Sequence, residues 1–293
     1  MAKYKTYQAK ADPGRAEAIA ATSSPFTIEV RFLGGLNATQ QAAFTDAADR
    51  WTRVIVGDLP SVLVDGEIID DVLIRAQGVE IDGPGRILGQ AGPTHLRPAT
   101  AGAAAFLTAK GIMSFDAADL SKMEASGTLN DVITHEMGHV LGIGTLWGLK
   151  GLIRRAGTSN PTFTGEGAMK EYRVLRGDRR RRRVPVENTG GPGTADGHWR
   201  ETVFRNELMS GFIAEPGNPL SRMTAASLGD LGYAADVDAG EPYVLPNLLA
   251  LAEAGALVEH AAPIDVGIVL PVIPQTLPPE NLKPRSKGRR RGR

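Results

Sequence analysis

Residues 135–142 are His135-Glu136-Met137-Gly138-His139-Val140-Leu141-Gly142, and they sit in a segment whose apolar spacing is helical. Val132, Ile133, Val140 and Leu141 recur at helical intervals. Thr128 or Asn130 is placed to cap the N-terminus, Asp131 complements the helix dipole, and Gly142 is a natural stop. Residues four apart on such a helix differ by about 40° in azimuth, so His135 and His139 project from one face, one turn apart. Two imidazoles placed this way can grip a single zinc ion, with Glu136 beside the ion rather than on it. A carboxylate in that position can take a proton from a water activated by the metal and pass it to a leaving amine, which is the chemistry of peptide-bond hydrolysis. With five His and 16 Glu in 293 residues, chance supplies this pattern in roughly one such sequence in 200. A plain core helix is the poorer reading, because burying a glutamate between two histidines without a cation costs several kcal/mol.

Two ligands are too few, since catalytic zinc ordinarily takes three from the protein. The chain contains no cysteine, which removes disulfides, thiolate nucleophiles and Cys-ligated zinc and leaves His, Asp and Glu as donors. In the compact pattern a third His follows six residues after the second, and that position holds Thr145. His95, His198 and His260 remain. His198 lies in Gly-Thr-Ala-Asp-Gly-His-Trp-Arg-Glu (193–201), whose glycines allow a loop to approach a metal closely. Eleven residues later Met209 stands in Asn-Glu-Leu-Met-Ser-Gly, a turn-like setting for a methionine beneath a zinc site. His198 is therefore the expected third ligand, with His95 and His260 as ordinary exposed or hydrogen-bonded histidines. A design with a glutamate ligand would recruit Glu201 or Glu207 instead.

These residues resemble the leishmanolysin-type zinc metallopeptidases, a metzincin branch in which an inserted segment displaces the third His. The motif of residues 135–142, Gly197-His198-Trp199 and Glu207-Leu208-Met209 carry the resemblance. Leu88-Gly89-Gln90-Ala91-Gly92-Pro93, Gly111-Ile112-Met113-Ser114-Phe115-Asp116, Val186-Glu187-Asn188-Thr189-Gly190-Gly191 and Pro219-Leu220-Ser221-Arg222-Met223-Thr224 are similar to segments of bacterial members, so about residues 25–245 are covered. The resemblance implies one catalytic Zn2+ on His135, His139 and His198, with Glu136 as general base and Met209 as the hydrophobic floor. It implies an α+β, metzincin-like fold: a twisted mixed β-sheet with long helices in an upper lobe, the active-site helix, and a loop-rich lower lobe entered after Gly142 and ending in a helix. An edge strand above the zinc would pair with extended protein or peptide substrates. Gly111, Ile112, Met113, Ser114 and Phe115 are the candidates for it, the alternative being an interior strand. Members from eukaryotic parasites are exported, so the resemblance implies an extracellular location, while the residues themselves leave the compartment open. This chain shows no apolar leader and, lacking cysteine, cannot use a cysteine-switch latency.

Outward from the site, Phe26, Ile28, Val30 and Phe32 alternate as a strand ended by Gly34-Gly35. Asn37 or Thr39 opens a helix carrying Phe44, Ala47, Ala48, Trp51, Val54 and Ile55 on one face. Asp65-Gly66 marks a hairpin, and Ile68, Ile69 and Val72 to Ile74 suggest strands. Residues 1–24 are expected to be a mobile lead-in and 83–98 an irregular loop. Ser221 to Leu231 reads as the helix of the lower lobe, and Tyr233 as a core tyrosine rather than an oxyanion donor. The domain plan is thus a catalytic unit over 25–245 divided near residue 142, an extension over 246–275 and a basic disordered tail over 276–293.

The formal charge of zero hides a split: the tail carries seven basic side chains against Glu280, leaving residues 1–275 with 26 basic and 32 acidic groups. No apolar run is long enough to span a bilayer. Asp196, Asp236 and Asp238 sit in loop-like surroundings and leave calcium open, although scattered loop aspartates are ordinarily just hydrated. Arg179 to Arg183 form a solvated run inside the insertion. A competing reading from another class is a catalytically silent, zinc-stabilised binding protein that uses this run and the tail on polyanions. The acidic body and few aromatics argue against nucleic acid as a partner.

Overall fold

Asn37 fixes where the first long helix begins. In the computed structural model its side chain accepts from the Gln40 backbone N–H at 2.8 Å, while the Gln40 side chain accepts from the Asn37 N–H at 3.0 Å, a reciprocal capping box. The structure describes residues 4–81, 83, 89–191, 193–213, 215–247, 251 and 273–283. Their elements in chain order are β1 (Lys5–Lys10), α1 (Pro13–Ala20), β2 (Thr27–Gly34), α2 (Ala38–Val54), β3 (Val62–Val64), β4 (Glu67–Ile69), β5 (Val72–Val79), β6 (Gly89–Leu96) and β7 (Thr108–Asp116). There follow α3 (Ala117–Ser126), α4 (Leu129–Leu141), β8 (Ile153–Arg154), β9 (Thr162–Phe163), α5 (Glu166–Leu175), β10 (Val184–Pro185), α6 (Glu201–Phe204), α7 (Arg222–Leu231) and β11 (Gln275–Thr276). The fold is α+β, as expected.

The main sheet is mixed, in the order β1-β2-β5-β7-β6-β11, with β1–β2 and β6–β7 antiparallel and the other pairs parallel. Ile28, Val30 and Phe32 point into the core from β2, and α2 covers them with Phe44, Ala47, Ala48 and Trp51. Phe44 meets Phe32 and Phe115 edge-on at 6.2 and 5.9 Å. The Asp65-Gly66 turn joins β3 to β4. After Gly142 the chain forms only two-residue strands, β8, β9 and β10 in a small sheet of their own, and short helices, so the lower part is loop-rich with α7 as its helix. Ser221 caps α7 by accepting from the Thr224 N–H at 3.2 Å. No described helix is long and apolar enough to cross a membrane.

Four expectations are corrected. From residue 5 to residue 20 the lead-in is regular structure: β1 forms the outer edge of the sheet against β2, and Asp12 caps α1 by accepting from the Arg15 N–H at 2.8 Å. Gly89–Leu96, inside the expected loop, is the strand β6. Its two glycines and Pro93 lack the β-branched residues that mark strands, and the ladder to β7 supplies what propensity does not. The start of the tail is also fixed, since β11 pairs with β6 and Leu277 is buried against Val62 and Leu73. Finally, Gly111–Phe115 belongs to β7, which has a partner on each side and is interior. His260 and the basic residues from Arg285 onward lie outside the described residues.

Candidate metal centre

Helix α4 is held by contacts that its own sequence prepares. Gly111 in β7 leaves room for Val140, whose Cγ1 would stand 2.4 Å from an added Cβ, and the Thr108 hydroxyl donates to the Val140 carbonyl at 2.6 Å. The fully buried Trp51 indole donates to the Thr134 carbonyl at 2.9 Å, tying α2 to α4. Thr128 occupies the N-cap position but makes no side-chain capping bond; its hydroxyl meets that of Ser126 at 2.9 Å instead. Asp131 does more than face the dipole: one oxygen accepts from the backbone of Gly217 and Asn218 and from the Asn218 amide, while the other meets Arg50 at 3.3 Å. Arg50 in turn grips Glu241 with two bonds of 2.6–2.8 Å. The helix ends at Gly142, whose φ of 114° only glycine adopts without strain.

His135 and His139 project from α4 into the lower half, and the loop before α6 returns His198 to them. The three Nε2 atoms form a near-equilateral triangle with sides of 3.0, 3.0 and 2.9 Å. Each ring's Nδ1 lies on a backbone carbonyl: His135 on Leu208 at 2.6 Å, His139 on Ile143 at 2.8 Å and His198 on Thr194 at 2.9 Å. An Nδ1–H donating to a carbonyl leaves the lone pair on Nε2, so three unprotonated nitrogens face one another. Burial lowers all three ring pKa values, His135 to about 3. Three lone pairs at this separation repel unless a cation lies between them, and this donor set fits a divalent metal ion. Glu136 is buried beside the triangle, with Oε1 3.8 Å from His135 Nε2 and Oε2 without a hydrogen-bond partner among the described residues; burial pushes its carboxyl well up.

The loop bearing His198 is positioned by residues that no spacing rule marks. Gly144 has φ 75°, and a Cβ there would lie 2.0 Å from the Gly197 carbonyl oxygen, so helix exit and returning loop touch backbone to backbone. Trp199 packs on Trp147 and Phe163 at 4.6 and 5.3 Å between ring centroids. Its backbone N–H donates to Met209 O at 2.9 Å, and its indole donates to Thr224 Oγ1 at 2.8 Å. Glu207, fully buried, accepts from the Met209 N–H at 2.6 Å, from Ser221 N–H and Oγ at 3.1 and 2.6 Å, and from the Thr224 hydroxyl. That carboxylate fixes the turn of Met209, whose Sδ would lie 2.8 Å from a Cβ at Gly138, one residue before His139.

Sequence-expected residues sort clearly. Neither Glu201 nor Glu207 joins the histidine triangle, which excludes the glutamate-ligand design among the described residues. Thr145 donates to the His139 carbonyl at 2.7 Å. His95 lies on β6 beside Thr94, away from the triangle. Tyr233 donates to the Leu141 carbonyl at 2.8 Å and packs edge-on against Phe26, a core tyrosine as expected. Asp236 and Asp238 pair with Arg15 and Arg222, Asp196 accepts from Gly157, and the three do not cluster with one another among the described residues. Beyond β7, β6 has a ladder partner only at His95 and Leu96 among the described residues, so Gly89–Pro93 has no strand on its far side although Gly89, Ala91, Gly92 and Pro93 are buried, and α4 packs alongside it.

A helix presents two of three clustered imidazoles that could together hold a metal ion, with a carboxylate and a methionine beside them. The family model for leishmanolysin, peptidase family M8, matches residues 104–250, half of the chain, and the chain belongs to that family. No curated protein matches it.

Proposed function

We propose that the chain is a zinc-dependent endopeptidase. His135, His139 and His198 would hold the ion, and Met209 would form the apolar floor beneath them. The observation that carries the reading is the convergence of three Nε2 atoms within 3.0 Å, each with its proton committed to a backbone carbonyl at Nδ1. When bound, zinc supplies Lewis acidity toward a substrate carbonyl and a water. Glu136, at the rim of the triangle with one oxygen unpaired among the described residues, takes the proton of the attacking water and returns it to the leaving amine. The far side of β6 over Gly89–Pro93 offers main-chain donors and acceptors to an extended peptide, which replaces Gly111–Phe115 as the proposed substrate strand.

The test pairs metal analysis with casein digestion in the presence and absence of 1,10-phenanthroline. Glu136→Gln is expected to keep one zinc per chain while hydrolysis falls by about 10²–10⁴-fold. His198→Ala is expected to lose zinc and activity together. Undiminished hydrolysis in Glu136→Gln overturns the assignment.

A further inference from the structure

The arginine run has no place in the proposed reaction; it is exposed, and two of its residues line a cavity. Arg182 and Arg183 fold back toward the small sheet and, with Arg155 and Arg176, surround an open cavity of about 380 Å³ whose walls include Thr162 and Tyr172. Arg176 lies over the Tyr172 ring at 5.7 Å from its centroid. One carboxylate serves this group: Asp178 meets Arg176 at 3.0 Å and Arg182 at 3.6 Å. Arg181 turns away to Glu166. Among the described residues neither Arg155 nor Arg183 pairs with an acid. Arg155 is held at φ 60°, a backbone state uncommon for residues with a side chain.

Four arginines line this cavity, and the one carboxylate there serves Arg176 and Arg182, so a dianion placed among them would supply the charge that Arg155 and Arg183 lack. Planar guanidinium forks match the oxygens of tetrahedral oxyanions in paired bonds. The cavity falls within the size range of small-molecule sites and exceeds what one inorganic ion fills. We propose that this cavity binds a phosphate or sulfate group, carried as the free ion or as a monoester, at a site separate from the histidine triangle.

The experiment is isothermal titration of the zinc-loaded full chain at constant ionic strength with sodium phosphate, sodium sulfate and phenyl phosphate, using chloride as the reference salt. One saturable site per chain is expected. Tighter binding of phenyl phosphate than of inorganic phosphate identifies the ester as occupant, and the reverse order identifies the free ion. Substituting Arg155→Gln together with Arg183→Gln weakens binding about tenfold or more, since charge-assisted hydrogen bonds are lost. The pair Arg179→Gln and Arg180→Gln, outside the cavity, changes affinity less than about twofold. Arg155→Gln alone, at an exposed lining position, weakens binding several-fold and covers the case in which the double arginine variant fails to fold. Zinc content stays unchanged throughout, so the result is independent of the peptidase assignment. No saturation by any of the three anions at about 10 mM, or equal weakening by the inner and outer arginine pairs, overturns the proposal.

Discussion

Replacing Gly144 with alanine perturbs the one point where helix exit and returning loop meet backbone to backbone. Two costs combine. At φ 75° an alanine methyl is strained by about 1–2 kcal/mol. The methyl would also stand 2.0 Å from the Gly197 oxygen, where an ordinary carbon–oxygen contact is about 3.3 Å, so the two segments must part by on the order of 1 Å. Neither partner is the far end of a flexible side chain, and the displaced residue is the neighbour of His198. A total loss of about 2–4 kcal/mol is expected, lowering Tm by roughly 4–8 °C for a chain of this size. Misplacing the third imidazole should weaken zinc binding about 10–100-fold and lower kcat/KM by about 100-fold. Calorimetry of the zinc-free protein measures the first effect, and chelator competition measures the second. Gly148→Ala is the control, since its Cβ meets nothing within 4 Å and its backbone is not left-handed; it should shift stability by less than about 0.5 kcal/mol. A Gly144→Ala protein with unaltered Tm and zinc affinity refutes the view that this contact places His198.

Other outcomes follow from the same network. Glu207→Gln sets an amide against donors that now share a carboxylate, leaving at least one buried N–H or O–H unpaired; a loss of about 1–3 kcal/mol is expected in urea unfolding, together with weaker zinc binding. Trp51→Phe removes the indole bond to Thr134 while keeping most of the ring, and should cost about 1–3 kcal/mol by thermal unfolding. Asp116 caps α3, and its carboxyl is held below the usual range, chiefly by the Ile81 N–H and then by the Ala118, Gly83 and Asp119 N–H groups. Because the folded pKa lies below the unfolded value of about 3.9, the stability this group contributes is complete above that pH and fades as pH falls through the folded pKa. Asp116→Asn should therefore be less stable than the parent near pH 6, and the gap should narrow in urea titrations toward pH 3.

Much of the site was legible because α-helical periodicity is local. Once the segment around 135 is helical, His135 and His139 share a face and Gly142 closes the helix, whatever the rest of the chain does. His198 was identified by its glycine setting and by Met209, and the geometry brings it to the pair. Strand β6 was not legible, because Gly89, Gly92 and Pro93 have poor strand propensity and their pairing comes from β7, some twenty residues away. The same non-locality hid β1, whose partner is β2, and β11, whose partner β6 lies far back in the chain.

Glu207 shows the boundary well. As a residue type two positions before a methionine it reads equally as a ligand or as a surface charge, and only the burial created by α7 and the Trp199 loop makes it an internal clamp. Local stereochemistry alone thus placed two imidazoles and a carboxylate on one helical face. The third imidazole, the strand β6 and the paired backbones of Gly144 and Gly197 exist only after distant segments pack, because they depend on close approach between parts of the chain that no single periodicity relates.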